Sequence, residues 1–232
     1  MVIIRNLNAD DVGDGNGVRV AILDDHRLMS SSVSAALRAE GFEVVVPELV
    51  EPAAVESRLR QEPPAVALLD LDLGAFGRGE DLLPILVALE TRVLIVSGIT
   101  EEPVIGRCLQ AGAWGWVPKS APLEELLEAV RSAASGRPVL DPAERDHLLR
   151  AWREWRTGSE EALAPFARLS RREAQVLAML RDGKSVERIA AESFVAEATV
   201  RTQVRAILTK LEVNSQLEAV AKAARAGWVP DR

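Results

Sequence analysis

The sequence predicts an α/β protein: a doubly wound, five-stranded parallel sheet, then a linker helix, then an all-α domain of four helices with a helix-turn-helix. Three observations carry this. Short apolar runs alternate with helical patterns through residues 18–137, as they do in parallel sheets. Nearly every run stops at a charged or hydroxyl residue. From residue 168 onward the apolar spacing is purely helical, in short segments separated by turn signals.

In chain order, residues 1–17 end in the polar, Gly-rich stretch NADDVGDGNG and are expected to form a mobile leader. VRVAIL (18–23) is β-branched and apolar and runs into Asp24 and Asp25, giving the first strand. Residues 27–39 have helical spacing and stop before Gly41. FEVVVP (42–47) is the second strand, and Pro52 opens a second helix. In AVALLDLDLG (65–74) five unbroken apolar residues lead into Asp70, the signature of a buried third strand. Residues 80–90 read as helix, RVLIVSG (92–98) as a strand ending at Ser97, and 101–111 as a helix stopping at Gly112. WGWVPK (114–119) is the fifth strand and ends at Lys119; Pro122 opens the helix LEELLEAVRSAAS.

SGRPVL (135–140) marks a boundary. Asp141-Pro142 with Glu144 starts a linker helix expected over 142–156, with Leu148, Leu149, Trp152 and Trp155 on one face. That face suits packing on a neighbouring domain or, in the sharper reading, a dimer contact. TGSEEALAP (157–165) reads as a flexible joint. The domains expected are a leader (1–17), the α/β domain (18–137), the linker (138–167) and the helical domain (168–232).

In the last of these, Ser170 and Glu173 form a capping box, DGK (182–184) breaks the helix, and Ser185 caps VERIAAES. FVAE (194–197) is a turn before TVRTQVRAILTKL (199–211). Val200, Val204, Ile207, Leu208 and Leu211 form its apolar stripe, while Arg201, Thr202, Arg205 and Thr209 fall on the other side. Ser215 and Glu218 begin a fourth helix. A tight turn before a basic amphipathic helix suits docking in a DNA major groove, although a solvated face on a small bundle gives the same periodicity.

Charge divides along the same line. The net charge is −7, yet residues 18–137 hold 11 basic against 18 acidic side chains and residues 168–232 hold 12 against 8. No apolar run approaches a membrane span, and no basic, then apolar, N-terminal segment suggests a secretory signal. The one cysteine, Cys108, excludes an internal disulfide and fits a reducing cytoplasm.

The strand ends carry the chemistry. Asp24, Asp25, Asp70, Ser97 and Lys119 converge on the edge of the sheet where α/β proteins place their sites. Any one of them could be a helix cap or a solvated residue. Together, crowded carboxylates repel one another, and a hard divalent cation such as Mg²⁺ relieves that repulsion. A cation, a lysine and a hydroxyl meet the needs of phosphoryl transfer, which are positioning and charge neutralisation.

LDDH (23–26), LLDLDL (68–73), VSG (96–98) and VPKS (117–120) resemble the receiver domain of a two-component response regulator over residues 18–137, with 45, 27 and 22 residues separating Asp25, Asp70, Ser97 and Lys119. The resemblance implies the strand order 2-1-3-4-5 for the α/β sheet, and that Asp70 is the phosphoacceptor. It implies that Asp24, Asp25, Asp70 and the backbone carbonyl of Asp72 hold Mg²⁺, that Ser97 and Lys119 meet the phosphoryl group, and that Trp116 is the switch aromatic. Two positions depart from the pattern: the loop GAFGRGED replaces the usual Met-Pro, and Trp116 replaces Tyr or Phe.

The stretch from Leu169 to Val213 resembles a LuxR-type DNA-binding domain. By that resemblance 197–211 is the recognition helix. Arg201, Thr202 and Arg205 face base edges, Ser185, Thr199 and Lys210 hold phosphates, and Gln203 stands where His is common. Ala196 replaces the usual capping Ser, and Glu212 replaces a Gly whose φ is expected to be positive.

The two halves together resemble the NarL/FixJ-type response regulators. The implied protein is a bacterial transcription factor, not an enzyme, controlled by phosphorylation from a sensor histidine kinase and binding double-stranded promoter DNA as a homodimer. A regulator that binds DNA without phosphorylation, switched by a ligand or partner, is the alternative. A haloacid-dehalogenase-like phosphatase is more remote: Asp70-x-Asp72 echoes its motif, but its nucleophile follows the first strand and it has no use for a basic tail.

Overall fold

The computed structural model describes residues 17–230. Five strands, β1 (Arg19–Leu23), β2 (Glu43–Val45), β3 (Val66–Leu69), β4 (Arg92–Ser97) and β5 (Gly115–Pro118), form one parallel sheet, as the alternating pattern predicts, in the order β2-β1-β3-β4-β5 that the receiver resemblance implies. The register sets Leu23 beside Leu69, so Asp24 and Asp70 leave neighbouring strands at the same edge.

The apolar strands bury both faces. Helices α1 (Arg27–Ala39) and α5 (Leu123–Ala134) cover one face, Val33, Leu37, Leu126 and Val130 packing against Val20, Ile22, Leu68 and Val96. Helices α2 (Pro52–Gln61), α3 (Leu83–Ala88) and α4 (Glu102–Gln110) cover the other, where Val55, Leu86 and Ile105 meet Leu69, Val93 and Ile95. Cys108 lies in this second core, and burial pushes its thiol up to about 11, as suits core filling.

Two expectations are corrected here. The helix expected over 80–90 is a short 3₁₀ turn, Gly79–Asp81, followed by the six residues of α3, because Pro84 sits in the first turn and resets the start. The flexible joint over 157–165 is helical: α6 runs unbroken from Pro142 to Leu163 and passes into a 3₁₀ turn, Ala164–Arg168. Gly158 costs only about 1 kcal/mol in a helix, and the neighbouring Glu160, Glu161, Ala162 and Leu163 are good helix formers. The leader lies outside the described residues.

The chain divides into two compact units between Arg153 and Glu154, inside α6. The second unit contains α7 (Arg171–Arg181), α8 (Val186–Glu192), α9 (Glu197–Leu211) and α10 (Gln216–Arg225). Its core comprises Val176, Leu177, Ile189, Val200, Ile207 and Leu211, closed by Phe166 stacked on Trp228 at 5.3 Å. The Ser170–Glu173 capping box forms as read. Glu212 does take the left-handed conformation, φ 55° and ψ 47°, at the end of α9. Glycine is relaxed there, so Glu212→Gly should stabilise the second unit by about 1 kcal/mol in urea unfolding. A loss of stability would show that the strain is absent.

Candidate functional site

The acidic pocket sits at the C-terminal edge of β1, β3 and β5. Asp70 is 3% exposed, and its backbone N–H is tied to the Leu23 carbonyl at 2.9 Å. Lys119 reaches across from the end of β5. Its Nζ lies 2.6 Å from Asp70 Oδ2 and 2.9 Å from Asp24 Oδ2. Burial pulls the Lys119 pKa down, but hydrogen bonds to Asp70 and Asp24 outweigh it and hold the ammonium above the usual lysine value. A lysine fixed as a charge between two carboxylates is a point cation aimed at the spot where a further anion would sit.

Ser97 is buried at the end of β4; its Oγ accepts from the Ile99 N–H at 3.1 Å and its carbonyl accepts from the Lys119 N–H at 3.0 Å. Trp116 packs half-buried on the α4 side of the sheet, and its Nε1 is buried with no hydrogen-bond partner.

One neighbour went unread in the sequence. His26 puts its Nδ1 2.8 Å from Asp25 Oδ1, 3.1 Å from Asp24 Oδ1 and 3.2 Å from Lys119 Nζ. Ligand atoms of Asp24, Asp25, His26 and Asp70 all lie within 4.8 Å of one another. Three carboxylates and an imidazole in that space suit a divalent cation. The Asp72 carboxylate is not in this cluster; its Oδ1 accepts from the Gly74 N–H at 3.1 Å, so only its carbonyl is a candidate ligand.

The odd loop has a packing reason. A Cβ on Gly79 would stand 1.8 Å from the Asp70 carbonyl oxygen, and one on Gly74 2.5 Å from Asp25 Oδ2. Gly74 also has φ +58°. Glycine lets this loop fold directly against the pocket.

In the second unit, α8, the turn at 193–196 and α9 form the helix-turn-helix. Val200, Val204 and Ile207 are buried, while Thr199, Arg201, Thr202 and Arg205 are exposed. Arg201 Nη2 lies 3.2 Å from Glu197 and 3.6 Å from Glu187; Arg205 makes no ion pair among the described residues. Thr202 Oγ1 donates to the Ala198 carbonyl at 2.9 Å. Ser185 Oγ caps α8 by accepting from the Arg188 N–H. Ala196 offers α9 no side-chain cap, and Gln203 Oε1 is buried without a partner. Lys210 is already engaged: its Nζ donates to Glu173 Oε2 at 2.6 Å, joining α9 to the capping box of α7. That contact and its capping bonds, against the opposing effect of burial, hold Glu173 below the usual glutamate range.

Residues 20–131 match the family described as response regulator receiver domain, and residues 167–223 match the bacterial regulatory proteins of the luxR family. A Mycobacterium tuberculosis protein named "Probable transcriptional regulatory protein NarL" is 35% identical over 209 residues, covering 90% of this chain and 94% of that one.

The chain is a LuxR-type response regulator.

The regulator is also 29% identical over 230 residues to the transcriptional regulatory protein DegU of Brevibacillus brevis, covering 94% of this chain and 97% of that one. Among solved structures it is similar to the response regulator ChrA of a heme-sensing two-component system, at 26% identity, TM-score 0.44, 93% of this chain and 100% of that one. The family is that of transcriptional response regulators, and the regulator combines a receiver domain with a LuxR-type DNA-binding domain. Among the described residues no helix is long and apolar enough to cross a membrane.

Proposed function

We propose that the regulator accepts a phosphoryl group on Asp70 from a sensor histidine kinase in the cytoplasm, and that this event controls its binding to promoter DNA. The observation that carries the reading is Lys119, held 2.6 Å from Asp70 and 2.9 Å from Asp24. Asp24, Asp25, Asp70 and the Asp72 carbonyl would hold Mg²⁺, whose charge would neutralise the incoming phosphoryl oxygens. Asp70 has the most buried side chain of the three clustered carboxylates, 3% exposed against 6% for Asp24 and 37% for Asp25, and lies nearest the lysine. Ser97 Oγ accepts from the Ile99 N–H, which leaves its own O–H to donate to a phosphoryl oxygen.

On the DNA side, Arg201 and Arg205 read guanines through paired donors, Thr202 and Gln203 contact bases beside them, and Ser185, Thr199 and Lys210 meet phosphates. Two copies occupy two half-sites. The exposed Leu217 of α10 belongs to the surface by which the DNA-binding domains pair.

The test is DNA affinity measured with and without beryllofluoride and magnesium, on a site selected from a random pool. The mimic should tighten binding; equal affinity would favour a regulator that ignores phosphorylation. Arg205→Ala should weaken specific binding by about 1–3 kcal/mol in a salt-matched titration, and unchanged binding would remove α9 as the reading helix.

A further inference from the structure

The first half of α6 is docked on the receiver itself. Leu148 is buried in the core beneath α4, with Leu149 packed beside it. The crossing is backbone on backbone: a Cβ on Gly106 of α4 would stand 2.1 Å from the Leu148 carbonyl oxygen and 2.9 Å from Trp152 Cβ. Polar contacts pin its N-terminal end. Arg145 Nη1 donates to the Trp114 carbonyl at 3.2 Å, and His147 Nε2 lies 3.0 Å from Glu102.

One of these contacts leads back to the pocket. Arg107, next to Gly106, lies over the Trp152 ring, 5.9 Å from its centroid. Its other partner is Glu80, which accepts from Arg107 Nη2 with both oxygens, at 2.5 and 2.6 Å. Glu80 follows Gly79 in the glycine loop, and Gly79 lies against the Asp70 backbone, its N–H bonded to the Leu71 carbonyl at 3.0 Å. Asp70, Gly79, Glu80, Arg107 and Trp152 are thus in continuous contact from pocket to linker helix.

We propose that α6 is a ligand of the receiver's own α4 face, clamped by the Glu80–Arg107–Trp152 chain, and that phosphorylation of Asp70 loosens the clamp. The coupling rests on the phosphoacceptor reading above; the clamp does not. Asp70 is 3% exposed and Gly79 lies against its backbone carbonyl, so a strand end that shifts on phosphorylation carries Gly79 with it. Glu80 moves with Gly79, Arg107 loses its bidentate anchor, and the guanidinium no longer holds Trp152. Once undocked, this part of α6 loses the packing that supplies most of a helix's stability in water.

Hydrogen exchange by mass spectrometry on the full chain tests this. In Glu80→Gln and in Trp152→Leu, amides of residues 145–153 should exchange about tenfold faster, with β1 and β3 unchanged as the control for folding. Wild type with bound beryllofluoride should show the same rise. Unchanged α6 exchange in both variants overturns the clamp. Unchanged exchange with the mimic bound, as read by fluorine NMR, overturns its coupling to Asp70. Failure of the mimic to bind strikes the phosphoacceptor reading instead, and the variants still decide the clamp.

Discussion

Asp70→Asn is expected to bind its DNA site equally well with and without beryllofluoride, while the wild type tightens by about tenfold, within the usual range of coupling between sites. Asparagine keeps the shape of the side chain and removes the nucleophilic oxygen and its charge. Lys119 retains Asp24 at 2.9 Å, so the pocket should stay assembled and the variant should fold. The comparison therefore isolates the acceptor. A variant that still tightened with the mimic would place the phosphoryl group elsewhere.

Gly79→Ala should be the most damaging single methyl in the receiver. The added Cβ would meet the Asp70 carbonyl oxygen at 1.8 Å and its carbon at 2.9 Å, both backbone atoms of a buried strand end. Neither can rotate away, so the loop or the strand must shift. Overpacking of this kind costs about 1–3 kcal/mol, and here the shift also moves Asp70. Urea unfolding should show the loss, and affinity for beryllofluoride should fall with it. Gly77→Ala is the control: a Cβ there meets nothing within 4 Å, although its φ of +121° still carries strain. Gly79 itself is not at positive φ, so its loss reports packing alone; wild-type stability in Gly79→Ala would mean that the loop yields to the added methyl.

The strand-end residues were legible because parallel strands all finish at one edge: a polar residue ending each apolar run had to join the others. The parallel sheet and the faces of α9 were legible because period and turn residues fix them, while the strand order came from the receiver resemblance. What escaped was set by tertiary contact. His26 stands beside Asp25 in LDDH, but a residue at a helix start can point in many directions, and only the fold aims it at the carboxylates. Lys210 is expected at a DNA phosphate by resemblance, and its pairing with Glu173, 37 residues away, is a contact no local spacing could show. Gly74 and Gly79 of the 74–81 loop read only as part of a departure from the family pattern, and both pack closely against the pocket. In the linker, weak helix signals after Arg156 were read as a break, yet one glycine did not suffice to end a helix begun by a strong cap.

Everything in the signalling account depends on the buried carboxylate between β3 and Lys119. The most direct measurement is mass spectrometry of the full chain after incubation with a small phosphodonor and magnesium, with the modified residue located by fragmentation. The account predicts a single phosphoryl group, on Asp70. An unmodified chain, or a phosphate on any other residue, would contradict it.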